Sequence, residues 1–175
     1  GTTGEFNAIT DVPGVTVGYS TIIEGKDART GVTIVHPRSA NDARPVFAGV
    51  HSFNGNGEMT GAAWVDEGGL LEGPVGITNT HSVGAVHQAI IKWQVEYHKL
   101  LQHWFCPVVA ETADAWLNDM NGFFVQEQHV MEALNSATSG QIAEGNVGGG
   151  TGMLCYEFKG GTGTAIAVRL AAEGH

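Results

Sequence analysis

The sequence predicts a layered α+β fold with a largely antiparallel sheet, on three observations. Short β-branched runs bounded by Gly, Pro and Asn fill the first half of the chain, the apolar spacing then changes to threes and fours, and strand-like runs return after a glycine-rich loop. Strands and helices segregated in this way, without regular βαβα alternation, favour α+β over a doubly wound parallel sheet. The 175 residues suit a single domain spanning 1–175. At 42% hydrophobic and 15% charged residues, against a norm of ~25% charged, the chain is apolar enough to bury a core.

Taken in order, residues 15–17, 32–35, 46–53 and 75–78 read as strands. From Ser82 onward, Val83, Val86, Ile90, Trp93, Tyr97, Leu100 and Trp104 form one apolar stripe, a helix of about six turns with Ser82 as its N-cap. Pro107 resets the chain. Val109, Ala113, Trp116 or Leu117, and Met120 then read as a second helix ending at the Asn121-Gly122 turn. A third helix is predicted over 126–137, and strands over 153–158 and 164–170.

The formal charge of −10 argues against nucleic acid or an anionic membrane surface as partner, since both require a basic patch. A cationic or amine-bearing ligand suits it better. No apolar run reaches the ~18 residues of a membrane span, and the sequence leaves the compartment open. Cys106 and Cys155 make neither a disulfide framework nor a C-x-x-C pair, and read as two buried small hydrophobes. Eight histidines include no H-E-x-x-H, and His81/His87 and His98/His103 miss the i, i+4 spacing of helical metal ligands. No metal and no cofactor is expected.

Glycine is concentrated as well as abundant: 8 of the 26 lie within 145–163. The clusters match neither a P-loop nor G-x-G-x-x-G, because Thr151-Gly152 stands where Lys-Ser/Thr should and Cys155 occupies the third Gly position. A tight structural turn and a loop whose amides line an active site both remain open. Ser82, in Thr80-His81-Ser82-Val83-Gly84, sits between strand and helix where a nucleophile elbow would lie, but the first Gly of G-x-S-x-G is missing and capping explains it. Glu111 falls off the stripe of the predicted second helix and, by pattern alone, reads as a carboxylate complementing the helix dipole. Glu58, Asp66 and Glu67 read as solvated, and Asn54-Gly55-Asn56-Gly57 as a turn first and a substrate loop second.

Longer blocks carry a resemblance: NAITDVPGVTVGYST (7–21), RTGVTIVHP (29–37), NGNGEMTG (54–61), PVVAET (107–112), LND (117–119), EGNVGGGTGM (144–153) and FKGGTGT (158–164). Together, in this order, they resemble the DmpA-like family of L-aminopeptidase/D-esterases and β-peptidyl aminopeptidases. The resemblance implies a four-layer αββα sandwich like that of N-terminal-nucleophile hydrolases, made from a precursor that cleaves itself into α and β chains. This sequence would be most of the α subunit. The nucleophile would be the first serine of the β chain, so no catalytic residue is expected here, and the family's oxyanion-hole asparagine would follow the FKGG block. Glu111 matches the family carboxylate that holds the substrate's free amine. Ala113 falls where relatives carry larger side chains, and Gly149, Gly150 and Thr151 are expected in the wall of the site. The implied substrates are short peptides, amides or esters with an N-terminal amine, β- or D-amino residues among them. The implied partners are the chain's own β chain and further αβ units in a homo-oligomer. Two alternatives stand beside this: a free-standing serine esterase using Ser82, and a non-catalytic Gly-loop binding module. A sheet with helices on one side only, however, leaves its other face requiring a partner.

Overall fold

The computed structural model describes residues 2–40, 42, 44–97 and 103–165. Two nine-residue strands, β1 (Thr16–Glu24) and β2 (Ala28–His36), form an antiparallel hairpin with unbroken register from Thr16 opposite His36 to Glu24 opposite Ala28. Their alternating Val, Ile and Thr fit a pleated, half-buried surface. One short antiparallel pair follows in the connection, β3 (Val46–Phe47) with β4 (Leu70–Leu71), separated by helix α1 (Ala62–Gly68). Strand β5 (Val75–Asn79) adds antiparallel to β2 and leads into α2 (Val83–Tyr97). The chain returns as β6 (Val108–Thr112), parallel to β5, giving the sheet order β1-β2-β5-β6. Helix α3 (Glu127–Asn135) and a small hairpin, β7 (Leu154–Cys155) and β8 (Phe158–Lys159), complete the described elements.

The core lies between one face of this sheet and α2 and α3. Ala28, Val32 and Ile34 of β2 and Val109 of β6 pack against Val86, Ile90 and Trp93 of α2 and Val130, Ala133 and Leu134 of α3. Burial of each large side chain contributes roughly 1.5–3 kcal/mol. On the opposite face there is no long helix among the described residues. Instead a 3₁₀ turn, Gly148–Gly150, presses on β1, β2 and β5. The Gly148 amide donates to Thr21 Oγ1 (2.9 Å) and the Gly149 amide to Thr33 Oγ1 (3.1 Å). Gly148 has φ +53°, and a Cβ there would stand 2.3 Å from Thr33 Oγ1, so only glycine serves.

Several expectations are corrected. The predicted second helix does not form; its first half is β6, a β-branched pair buried on both faces, and a short apolar run of this kind fits either period. The sheet accordingly contains a parallel pair with α2 as its crossover. The strand expected over 46–53 shrinks to two residues, and that over 153–158 divides at Tyr156-Glu157, where both residues have positive φ, into the β7–β8 hairpin. Ser82 does not cap α2: it closes a 3₁₀ turn, Thr80–Ser82, and the side chain of Asn79 accepts its amide hydrogen. Cys106 and Cys155 are exposed, not buried. Helix α2 is described as far as Tyr97; Trp104 is not helical and His103 is exposed in a bend, while His98 and Leu100 lie outside the described residues, as do 166–170 of the last predicted strand. No helix among the described residues is long and apolar enough to cross a membrane.

Candidate active site

Parallel β5 and β6 end side by side where α2 begins, the position at which open sheets place their ligands. The register pairs Thr78 with Glu111 and Asn79 with Thr112, bringing Glu111 to the carboxyl end of β6. Residues 58–60 run along the free edge of that strand: the Glu111 amide donates to Glu58 O (3.0 Å) and the Thr60 amide to Val109 O (3.0 Å). Thr60 Oγ1 adds a bond to Pro107 O (2.8 Å) and accepts from the Val109 amide (2.9 Å). These bonds fix the preceding loop, in which Asn54 Oδ1 accepts the Asn56 amide at 2.9 Å. Gly57 passes so close to the carboxylate that a Cβ there would be 2.6 Å from Glu111 Oε1.

The result is a cleft of about 380 Å³ lined by Gly55, Asn56, Gly57, Glu58, Thr80, Glu111 and Ala113. Thr80 Oγ1 donates to Glu111 Oε2, orienting the carboxylate. Among the described residues no ion pair involves Glu111: the pairs found are Arg38 and Arg44 with Asp42, and Lys92 with Glu127. A carboxylate held by a neutral hydroxyl is left open to a cationic ligand, and an ammonium meets it with the stronger, charge-assisted kind of hydrogen bond. Among the described residues no cluster of His, Cys, Asp and Glu is able to hold a metal ion.

Of the residues singled out by sequence, Glu111 and Ala113 come together in this cleft, with the 54–57 loop and Glu58 across from them. Gly149, Gly150 and Thr151 are buried and do not line it. They join it indirectly: Thr112 Oγ1 donates to Gly149 O (3.0 Å), and Thr151 Oγ1 turns inward to Gly148 O (2.6 Å). Lys159 of the FKGG block donates to Gly150 O at 3.2 Å, and burial pushes its ammonium below the usual lysine range. Ser82 Oγ is buried with no hydrogen-bond partner, while its neighbour His81 stacks on Phe123. A serine without a base and without access to solvent is no nucleophile.

Two features escaped the sequence reading. Thr80 followed the strand as one polar residue among several, and only the parallel register shows that it faces Glu111. Asp114 is fully buried; desolvation pushes its carboxyl above the ordinary aspartate range, Thr30 and Asn118 partly offset this, and the charge of Glu111 adds to the rise. Its Oδ1 accepts from Asn118 Nδ2 (3.2 Å) and its Oδ2 has no partner.

Comparison with known proteins agrees with this architecture. The chain is 52% identical over 176 residues to the β-peptidyl aminopeptidase BapA of Sphingosinicella microcystinivorans, an alignment covering 96% of this chain and 44% of that protein. A β-aminopeptidase from Burkholderia sp. superposes with a TM-score of 0.87 at 50% identity, over 97% of this chain and 50% of its own. The L-aminopeptidase D-Ala-esterase/amidase of Ochrobactrum anthropi, described as a new variant of the N-terminal-nucleophile hydrolase fold, superposes with a TM-score of 0.84 at 51% identity, over 91% of this chain and 47% of its own. The chain thus has the fold seen in part of these enzymes, and spans about half the length of the relatives it matches. Residues 7–174 match the family model described as Peptidase family S58. With the sheet order, the carboxylate at the end of β6 and the glycine turn all falling inside that match, the chain belongs to peptidase family S58.

Proposed function

We propose that this chain is the amine-binding α subunit of a self-processing serine aminopeptidase that removes N-terminal residues from short peptides, amides or esters. The observation that carries the reading is Glu111: a carboxylate at a strand end, oriented by Thr80, lining an open cleft that contains no cation among the described residues. Anchoring the free amine there sets the distance to the scissile carbonyl and so restricts cleavage to the first residue. A β-amino residue carries one more methylene between amine and carbonyl than an α-amino residue. Ala113, small where a larger side chain would fill the cleft, leaves space for it. The names of the relatives, β-peptidyl aminopeptidase and L-aminopeptidase D-Ala-esterase/amidase, support the same substrate class.

In this reading the serine nucleophile and the oxyanion-stabilising asparagine belong to the part of the enzyme outside these residues. The serine oxygen attacks the carbonyl, the amine or alcohol leaves, and water releases the acyl group. Burial of Ser82 speaks against the esterase alternative. The test is Glu111→Gln in the full-length enzyme. Loss of a hydrogen bond to a charged group, about 1.5–3 kcal/mol, raises KM for amine-bearing substrates roughly 10- to 100-fold. An unchanged KM rules the assignment out.

A further inference from the structure

We propose that Asn79 is a positioning residue for the amine site: its buried side chain spans from Thr30 of β2 to the Ser82 amide, and so fixes the 3₁₀ turn from which Thr80 sets the orientation of Glu111. The inference rests on the reading of Glu111 as the amine anchor.

The hydroxyl that holds the Glu111 carboxylate belongs to an exposed residue, Thr80, so packing does not fix it. What fixes it lies on either side in the chain. Asn79, the last residue of β5, and Ser82 are both buried, and Asn79 Oδ1 accepts the Ser82 amide at 3.1 Å, closing a ring around Thr80 and His81. The other arm of the same side chain, Nδ2, donates to Thr30 Oγ1 at 2.9 Å, and Thr30 is fully buried in β2. The turn that carries Thr80 is thereby tied to an interior strand of the sheet.

The tie stands where the backbone ladder gives out. The register of β5 with β2 runs from Val75 to Ile77; beyond it Thr78 Oγ1 donates to Gly31 O (3.0 Å), and the bond from Asn79 to Thr30 takes the next place. On its other side β5 stays in register with β6, Thr78 opposite Glu111 and Asn79 opposite Thr112, so a shift at Asn79 moves Thr80 relative to the carboxylate. Asparagine suits the position because it donates and accepts at once: aspartate lacks the donor, serine lacks the reach and alanine has neither. A buried polar group with both bonds made is rigid, and it is costly to cut.

The experiment compares steady-state kinetics of the full-length enzyme on two activated esters of the same acyl skeleton, one with the free amine and one without it. Asn79→Ala is expected to raise KM for the amine ester about tenfold with kcat nearly unchanged, and to leave kcat/KM for the des-amino ester alone. Asn79→Ser, which restores a capping oxygen for the Ser82 amide, is expected to recover most of that loss. Thr30→Val removes the acceptor of Nδ2 at constant volume and should raise the same KM about threefold. It decides the matter if Asn79→Ala does not fold, an unchanged KM then counting against the proposal. In a Thr80→Ala background, Asn79→Ala should add nothing further, because both act through one carboxylate. Equal losses on both esters, which a merely structural role would produce, additivity with Thr80→Ala, or an Asn79→Ser as damaged as Asn79→Ala would each overturn the proposal. Glu111→Gln is the control: if its KM does not rise, the amine-anchor reading falls, whereas a rise with silent Asn79 and Thr30 variants removes only the present inference.

Discussion

Two buried side chains make opposite demands on the fold. Ser82 Oγ is enclosed without a partner, a loss of about 1–3 kcal/mol for a hydroxyl, yet Asn79 caps the Ser82 amide and not its side chain. Ser82→Ala should therefore retain full activity and a melting temperature at or above wild type; a lost activity would return Ser82 to the chemistry. Asp114 should give stability a pH dependence of unusual sign for an aspartate. Its folded-state pKa lies above the ordinary 3.8, so its contribution to stability is complete below that value and declines as pH rises through the folded pKa. Asp114→Asn should leave the urea midpoint unchanged near pH 4 and raise it at pH 7, and a midpoint lowered equally at both would contradict the direction of the shift. Neither property is legible in sequence, where Ser82 reads as a cap and Asp114 draws no reading of its own.

The elements around the cleft show where periodicity succeeds and where it fails. Helix α2 is legible because its stripe from Val83 to Trp93 persists over several turns and meets the sheet. Strand β6 is not, because Val108-Val109 and the polar residues after them suit either period, and only pairing with β5 decides. That error also misplaced Glu111, which complements no helix dipole but lies in a strand, one residue before its end. The 54–57 loop, read as turn before substrate loop, keeps its Asx turn and lines the cleft. Gly57 is the element's tightest point. Gly57→Ala would drive a methyl against Glu111 Oε1, displacing the carboxylate from Thr80. The expected outcome is a KM for amine substrates raised about tenfold at little cost in melting temperature; kinetics matching wild type would mean that the carboxylate has freedom to move aside.

At the scale of the molecule, α2 and α3 cover one face of the sheet, and several large apolar side chains stand in solvent: Phe47 is 95% exposed, Phe53 87%, Tyr156 86%, Trp116 78% and Phe158 75%. Large apolar side chains exposed in this number leave surface that a partner is able to cover. On the proposed reading the rest of the enzyme covers it. Mass measurement of the full-length protein under denaturing conditions, with N-terminal sequencing of each species, should find two chains, the second beginning with Ser; a single uncleaved species would rule out self-processing. By itself the sequence determined the α+β class, short strand segments within β1 and β2, α2, α3 and, through its longer blocks, the family and the role expected of Glu111. Those properties are carried by side-chain periodicity and by local strings. Only the tertiary structure decided that β5 and β6 run parallel, that Thr80 meets Glu111 and that Asp114 is sealed beside them. Each of these depends on which segments pack together, and desolvation and hydrogen-bond geometry exist only once they have.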